Sequence, residues 1–359
     1  MKVAVLGVGG MGGGIIKTLQ KIPSVTEVFA YDVDTERVRE REQSLGATGV
    51  TELERILENR DIPLVFVTAA NFAHKELTIA SLEAGKAVMC EKPMALTLED
   101  ARAMVETAER LGTFFQVGFE LRYSKLYTKV MEWIEEGLLG EVINTTCLYT
   151  SSAWRKSASW RLKAAPGGSM MGEKLSHYVD LPRWWVGSEV TECYAACAPN
   201  MVPYMEIHDN YHLTYKFASG AVSHLTYLQG HPATFRGDPL QPAEAQQIGD
   251  GHELRYIVVG TKGAAECDVF LRAIKRWDCP MDPEEGLLSN LVENLTWDPS
   301  EGHFYFHNTT DQTIDIVRRV EAGEPPATPA RDAYNSMRLC FAADVSVDEN
   351  RIVQLSELE

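Results

Sequence analysis

Val3-Ala-Val-Leu-Gly-Val-Gly-Gly-Met-Gly12 opens the chain, and its reading decides the fold of the first third of the protein. Val3 to Leu6 is a short apolar run with the length of a buried strand. Ile15, Ile16 and Leu19 then recur at helical spacing. Between strand and helix stands Gly7-x-Gly9-x-x-Gly12. In that position the first glycine permits a tight turn. The second lets a pyrophosphate approach the backbone, and the third lets helix and strand pack closely. The helix N-terminus adds unpaired N–H groups and partial positive charge. A second strand, Val25 to Tyr31, ends in Asp32, 20 residues after Gly12. That is the spacing at which an acid holds the adenosine ribose hydroxyls. The backbone of Gly7, Val8, Gly9, Gly10, Met11 and Gly12, together with Asp32, is therefore the expected dinucleotide cradle. Asp34 adds a second negative charge and Arg37 lies further into the next helix, so the pattern predicts NAD in preference to NADP.

Working outward, the strand–helix alternation continues. Pro63 to Thr68 is a buried strand followed by a loop at Ala69-Ala-Asn71 and a helix, Phe72 to Ala84, carrying His74. Ala87-Val-Met-Cys90 is a third buried run, and it delivers Glu91-Lys92-Pro93 to its carboxyl end. In open α/β sheets that edge is where ligands bind, so Lys92 stands where a functional lysine is expected. A solvated lysine in a strand-to-helix turn fits the same residues. A helix to Leu111 and a strand Thr113 to Gly118 complete a doubly wound parallel sheet. We place this domain at residues 1–121.

From residue 122 to 359 the pattern changes to an α+β domain with a large, mostly antiparallel sheet. Its long strands are Val142 to Thr150, Val190 to Ala198, Ile207 to Phe217, Ala221 to Leu228, Arg255 to Val259 and Ala264 to Phe270. Residues 230–251 read as a long surface loop. Late helices are expected over 308–322 and 330–347. In the helix expected over 169–186, Glu173 and His177 are four apart and so share a face, with Asp180 on or near it. A carboxylate beside an imidazole fixes its tautomer and stabilises its protonated form. With an ordinary pKa of roughly 6.5, such a histidine can exchange a proton near neutrality. A surface Glu–His pair has the same spacing.

Composition sets the bounds. A formal charge of -17 argues against nucleic acid or anionic membrane as partner, because phosphate binding needs a basic footprint. No stretch approaches the roughly 18–20 apolar residues of a membrane span, and the glycine-cut apolar opening is a strand in place of a secretory leader. Seven scattered cysteines suggest a reducing, cytoplasmic setting. Cys193 and Cys197 have no second pair to complete a metal site, and no metal is expected.

Together the Gly7–Gly12 loop, Asn71 with His74, Glu91-Lys92-Pro93, Gly118-Phe119, Arg122-Tyr123, Trp160-Arg161, Gly167-Gly168 and His177 with Asp180 resemble the Gfo/Idh/MocA oxidoreductases over essentially the whole chain. The resemblance implies NAD in the first domain and a sugar, cyclitol or related polyol against the second domain's sheet. It implies that Lys92 and His177 are catalytic, with Glu173 in the place of an aspartate that is common there. It adds Thr68, Ala69, Asn71, His74, Glu91, Lys92, Trp160 and Arg161 to the cofactor contacts. It puts Lys92, Arg122, Tyr123, Trp160, Arg161 and His177 around the substrate. Ala69-Ala70 departs from the usual Thr-Pro. A homodimer or homotetramer through the second domain's sheet is implied, and the apolar alternation of Leu213, Tyr215, Phe217, Val222, Leu225 and Tyr227 suggests a covered face. The expected activity is hydride transfer between a secondary alcohol and nicotinamide. An NAD-dependent glycoside hydrolase working by transient oxidation would use the same residues. A non-enzymatic NAD or sugar sensor has no need of Lys92 and His177. The basic loop Trp154 to Lys163 could hold a substrate carboxylate, or dock against acidic groups of a neighbouring subunit or the cofactor.

Overall fold

The computed structural model describes residues 1–152, 159–230, 253–298 and 304–358. They form two compact units, Met1–Glu120 with Thr309–Met337, and Leu121–Asn308 with Arg338–Glu359.

The first unit is built on six parallel strands: β1 (Lys2–Leu6), β2 (Glu27–Tyr31), β3 (Thr48–Val50), β4 (Leu64–Val67), β5 (Ala87–Cys90) and β6 (Phe115–Val117). Their order is β3-β2-β1-β4-β5-β6. The chain runs outward one way from β1 and then the other way from β4, so the direction reverses between those two strands. That crevice is where a doubly wound sheet binds its ligand. All residues of β4 and β5 are buried, as expected for parallel strands covered on both faces. The connecting helices are α1 (Gly10–Leu19), α2 (Thr35–Leu45), α3 (Glu54–Leu57), α4 (His74–Glu83) and α5 (Leu98–Leu111). α5 shows why these segments are helical. Thr97 caps its start by accepting the Asp100 N–H at 3.1 Å, and Gly112 ends it in the left-handed conformation. Ala101, Met104, Val105 and Ala108 form its buried stripe.

The second unit holds a nine-stranded sheet. Its elements begin with α6 (Lys125–Glu135), β7 (Val142–Ser151), α7 (Ala164–Gly167) and α8 (Ser176–Val186). Then come β8 (Val190–Ala196), β9 (Asn210–Phe217), β10 (Val222–Gln229), β11 (Glu253–Gly260), β12 (Gly263–Asp268) and β13 (Ala273–Asp278). A two-stranded ribbon of β14 (Met281–Asp282) and β15 (Gly286–Leu287) precedes β16 (Asn290–Thr296). The last elements are α9 (Thr309–Ala322), α10 (Ala330–Glu349) and β17 (Val353–Gln354). The sheet order is β16-β13-β12-β11-β7-β10-β9-β8-β17. Its one parallel pair among the described residues, β7 with β10, lies at the centre. On the covered face the Tyr256 ring meets Tyr127 of α6 edge-on at 5.9 Å and Trp185 of α8 at 5.2 Å. All three rings are buried, and each such burial contributes on the order of 2 kcal/mol. The Tyr256 hydroxyl donates to the Tyr178 carbonyl at 2.5 Å, which ties α8 to the sheet.

Four sequence expectations change. Residues Thr309–Met337 belong with the first unit, not with everything after 122. The reason is apolar: Ile316 and Val317 of α9 join the buried cluster of Val3, Val5, Ile15, Ile16 and Leu19. Strands β13 and β16 extend the sheet through a stretch left unassigned. Leu213, Tyr215, Phe217, Leu225 and Tyr227 do share a covered face, but each is buried within this chain, so they do not call for a partner subunit. Val222, expected with them, is half-buried and alternates onto the opposite face of β10. Finally, the helix expected over 169–186 is not one α-helix. Met171–Leu175 is a π-helical turn that runs into α8. The expected loop at 230–251 falls almost wholly outside the described residues, as do Trp154, Arg155 and Lys156 of the basic loop. No helix among the described residues is long and apolar enough to cross a membrane. All seven cysteines are unpaired.

Candidate active site

The glycine loop has the shape its spacing predicts. Gly7 has φ +92°, a left-handed value that side chains rarely adopt, and a Cβ there would overlap the Ala69 backbone. A Cβ on Gly12 would overlap the Gly7 carbonyl and stand 2.8 Å from Thr68 Oγ1. These two glycines let the end of β1, the start of α1 and the end of β4 close on one another. The Thr68 hydroxyl fastens the contact by donating to the Gly7 carbonyl at 2.5 Å. Gly9 and Gly10 are different, because a Cβ on either would meet nothing within 4 Å among the described residues. Their bare backbone, at the N-terminus of α1 with its unsatisfied N–H groups, leaves room that a pyrophosphate fits.

Asp32 closes the loop from the other side. Its buried carboxylate accepts the Val8 N–H at 2.9 Å and the Asp34 N–H at 3.0 Å. Here the structure adds what spacing concealed. Arg37 is not remote: its Nη1 donates to both oxygens of Asp32, at 3.2 and 3.1 Å. One turn further along α2, Arg41 Nε donates to the Val8 carbonyl at 3.0 Å.

At the ends of β4 and β5, His74 acts as a clamp. Its Nδ1 lies 2.8 Å from the Pro93 carbonyl and its Nε2 3.1 Å from the Ala69 carbonyl. The buried ring sits between the two carbonyls and so packs the two loops against each other. Asn71 is buried in a short 3-10 turn that leads into α4. Glu91 is buried, and its Oε2 accepts the Lys92 N–H at 3.2 Å. Gly118 allows this closeness, since a Cβ there would stand 3.1 Å from the Glu91 carboxylate. Lys92 thus leaves the carboxyl end of β5 from a braced turn whose Lys92–Pro93 peptide is cis.

In the second unit the π-helical turn carries Glu173, and His177 follows in the first turn of α8; both are buried. A π turn closes i→i+5 bonds, so it shifts each side chain relative to ordinary helical spacing and is common at functional sites. Glu173 and His177, four apart, are thus carried by a π turn leading into an α-helix and not by one regular helix. Ser169 begins the turn, with its hydroxyl 3.2 Å from the Gly172 N–H. The Glu173 carboxylate meets Arg161 Nε at 3.2 Å, and the Arg161 guanidinium lies over the Trp160 ring. Gly167 lets this Trp160-Arg161 turn approach, for a Cβ there would stand 3.0 Å from the Trp160 carbonyl. Asp180 points elsewhere: it takes Arg122 Nε and Nη2, each at 2.7 Å, in a forked buried pair. Arg122, expected beside the substrate, is thus bound to Asp180, with its guanidinium also over Trp184. Tyr123 supplies its carbonyl to Asn308 at 3.1 Å. Lys163 of the basic loop pairs with Glu206 at 2.8 Å.

Two residues beside this turn were missed. His307 stands edge-on to His177, with ring centroids 6.1 Å apart. Lys174 places its ammonium over Tyr149 at 4.8 Å and Tyr227 at 5.6 Å, two tyrosines paired across β7 and β10. A lone histidine before a helix gave no signal. The underwound turn that presents Lys174 has no sequence signature in hand.

The glycine loop, the buried Asp32 beside it and the strand-end Lys92 have the layout of a dinucleotide-binding unit, and the sheet unit carries the buried Glu173 and His177. Comparison with known proteins agrees. Residues 1–119 match the "Oxidoreductase family, NAD-binding Rossmann fold" and residues 127–266 the "GFO/IDH/MocA C-terminal domain". The chain belongs to the Gfo/Idh/MocA family and is an NAD-binding oxidoreductase. It is 24% identical to a myo-inositol 2-dehydrogenase of Thermotoga maritima, covering 100% of this chain and 99% of that one. It is 27% identical to an inositol 2-dehydrogenase of Streptomyces avermitilis, over 77% of this chain and 82% of the other. Its fold is shared with a levoglucosan dehydrogenase solved with NADH and levoglucosan, at a TM-score of 0.81, 20% identity and 99% coverage of both chains.

Proposed function

We propose that this chain is an NAD-dependent dehydrogenase of a secondary alcohol on a sugar, cyclitol or related polyol. The observation that carries the reading is the braced Glu91-Lys92-Pro93 turn. It stands at the carboxyl edge of the same sheet as the glycine loop, two strands along from β1. The names of relatives, inositol 2-dehydrogenase and levoglucosan dehydrogenase, support the substrate class.

In this reading Lys92 donates a hydrogen bond to the reacting oxygen and stabilises its developing negative charge. His177 takes the hydroxyl proton as general base. Glu173, with Arg161 on its carboxylate, orients the histidine's turn. Asn71, His74 and Glu91 hold the loops around Lys92. Tyr123, Trp160 and Arg161 are assigned to the substrate's surroundings, whereas Arg122 acts through Asp180 as a brace for α8. Bound nicotinamide supplies the hydride acceptor. We further assign the division of labour to a cofactor domain ending near residue 121 and a substrate domain after it, with α9 returning to the first. Association of chains through the outer sheet face, where Ile143, Tyr194 and Ile257 are exposed, is the corresponding proposal for assembly.

The test is a panel of cyclitols, sugars and anhydrosugars with NAD, followed by the absorbance of reduced nicotinamide. Reduction with at least one cyclitol or sugar is expected. Release of free sugar from glycosides without net NAD reduction would replace this reading with the hydrolase.

A further inference from the structure

The ribose corner of the first unit is occupied by the protein's own cation. Asp32 has two carboxylate oxygens, each with two acceptor positions. Oδ2 already takes the Val8 N–H and Arg37, and Oδ1 takes the Asp34 N–H and Arg37. The two backbone donors are fixed by the loop. Arg37 is the member of this set that can leave, because its side chain is 42% exposed and sits on the first turn of α2. A ribose diol donating to Asp32 needs the positions that Arg37 Nη1 now fills. Binding NAD therefore displaces this contact. The displaced guanidinium stays tethered nearby, where Asp34 already lies 3.3 Å from its Nη2. A 2′-phosphate would stand in the same corner, and Arg37 would then be its partner. Arg41, 18% exposed and fixed on the Val8 carbonyl, adds a second positive charge beside it.

We infer that Arg37 sets the dinucleotide choice of this enzyme: it competes with the ribose diol for Asp32 and admits NADP(H) alongside NAD(H). Asp32 and Asp34 alone would reject the 2′-phosphate by like charge. Arg37 changes that balance, since a guanidinium binds phosphate through charge-assisted hydrogen bonds.

The experiment is equilibrium titration of the full chain with NAD, NADP and their reduced forms, read by protein fluorescence or calorimetry, in wild type and Arg37→Ala. No alcohol substrate enters, so the result does not depend on the proposed activity. Wild type is expected to bind both dinucleotides. Arg37→Ala should weaken NADP roughly 10- to 100-fold, the loss of a charged hydrogen bond, and should tighten NAD a few-fold because the competitor is gone. Opposite signs are the signature. Arg37→Lys, which keeps charge but cannot fork across two oxygens, should fall between. A wild type that binds NAD but leaves NADP unbound overturns the inference. So does an Arg37→Ala variant that binds NAD more weakly, which would make Arg37 an organiser of Asp32. Binding of neither dinucleotide by wild type would overturn the cofactor assignment as well.

Discussion

The glycine loop after β1 and the turn that carries Glu173 present their groups by opposite means. In the first, the backbone does the work and the side chains are absent. Gly7 and Gly12 are glycine because Ala69, Thr68 and the Gly7 carbonyl occupy the space of a Cβ. In the second, the backbone is underwound over Met171–Leu175, and what it presents are the buried side chains of Glu173 and His177, the proposed orienting acid and base. The first kind of site tolerates change only in what it leaves out. The second depends on contacts that hold an irregular helix in place. The same contrast extends in part to charge: Asp32 is met by two backbone N–H groups as well as by Arg37, whereas Glu173 and Asp180 meet the side chains of Arg161 and Arg122.

The largest effect is expected where α8 is braced. Arg122 and Asp180 are 9% and 1% exposed at their side chains and form a forked pair. Removing one partner strands the other as a buried charge. Arg122→Met should lower unfolding stability by about 3–5 kcal/mol, read by denaturant midpoint. A loss under about 1 kcal/mol would mean that water reaches Asp180 freely and that α8 does not rely on the pair.

Next come the groups proposed to react. Lys92→Ala should reduce turnover by about 100- to 1,000-fold, as for loss of a charge-stabilising donor. His177→Ala should fall within the roughly 100- to 10,000-fold range of general acid–base catalysis. Glu173→Gln should cost less, since the amide can still accept from Arg161. Single-turnover hydride transfer, with NAD affinity measured in parallel, separates these outcomes. Near wild-type transfer in both alanine variants would mean that the reacting groups lie elsewhere. Loss of NAD affinity in His177→Ala would give that residue a binding role.

The glycine loop can be dissected with two alanines of opposite type. Gly12→Ala forces a methyl into the Gly7 carbonyl and should both destabilise the unit and abolish NAD binding. Gly9→Ala adds a methyl to open space, so folding should change by no more than about 0.5 kcal/mol. Its NAD affinity should nevertheless fall, because the methyl stands where the pyrophosphate approaches. Unchanged affinity in Gly9→Ala, by titration, would place the phosphates away from this turn.

These contrasts also explain what was legible in the chain. A period of two or 3.6 and a glycine at a fixed offset are local signals, so five of the first unit's six strands and its loop could be read directly, whereas β3, only three residues long, gave too short a pattern to read. Lys92 was legible because it ends a buried run. Long-range choices were not. Arg37 and Asp32 are five residues apart across a strand end and a helix start, and no periodic rule predicts that they meet. Ile316 and Val317 look like any amphipathic stripe, and nothing local says which core receives them. The apolar alternation of β9 and β10 announces a covered face without saying whether α6 and α8 or a second chain covers it. The π turn hides because Glu173 and His177 have the spacing of an ordinary helix.

The smallest effect should come from a carboxylate that supports the second site at a distance. Asp344 on α10 accepts the Tyr211 hydroxyl at 2.7 Å, and the Ser169 hydroxyl, at the head of the π turn, also holds it. Burial raises its pKa from the ordinary value to about 6, with Asp348 adding to the rise, while Ser169 and Tyr211 pull the other way. Its folded pKa therefore lies above its unfolded one, near 3.9. The folded chain binds this proton more tightly. Asp344 contributes stability that is fully present below about pH 4 and is lost as pH rises through about 6. Other carboxylates dominate acid unfolding, so the measurement is a difference: stability against pH for wild type and Asp344→Asn. The wild type minus variant difference should fall by up to about 2 kcal/mol between pH 4 and 7. An asparagine keeps the Tyr211 bond and carries no charge, so the π turn should be at least as stable in the variant at pH 7. A flat difference would show that Asp344 ionises in the folded chain as it does in the unfolded one. The two hydroxyls would then offset its burial, and the head of the turn would be insensitive to pH.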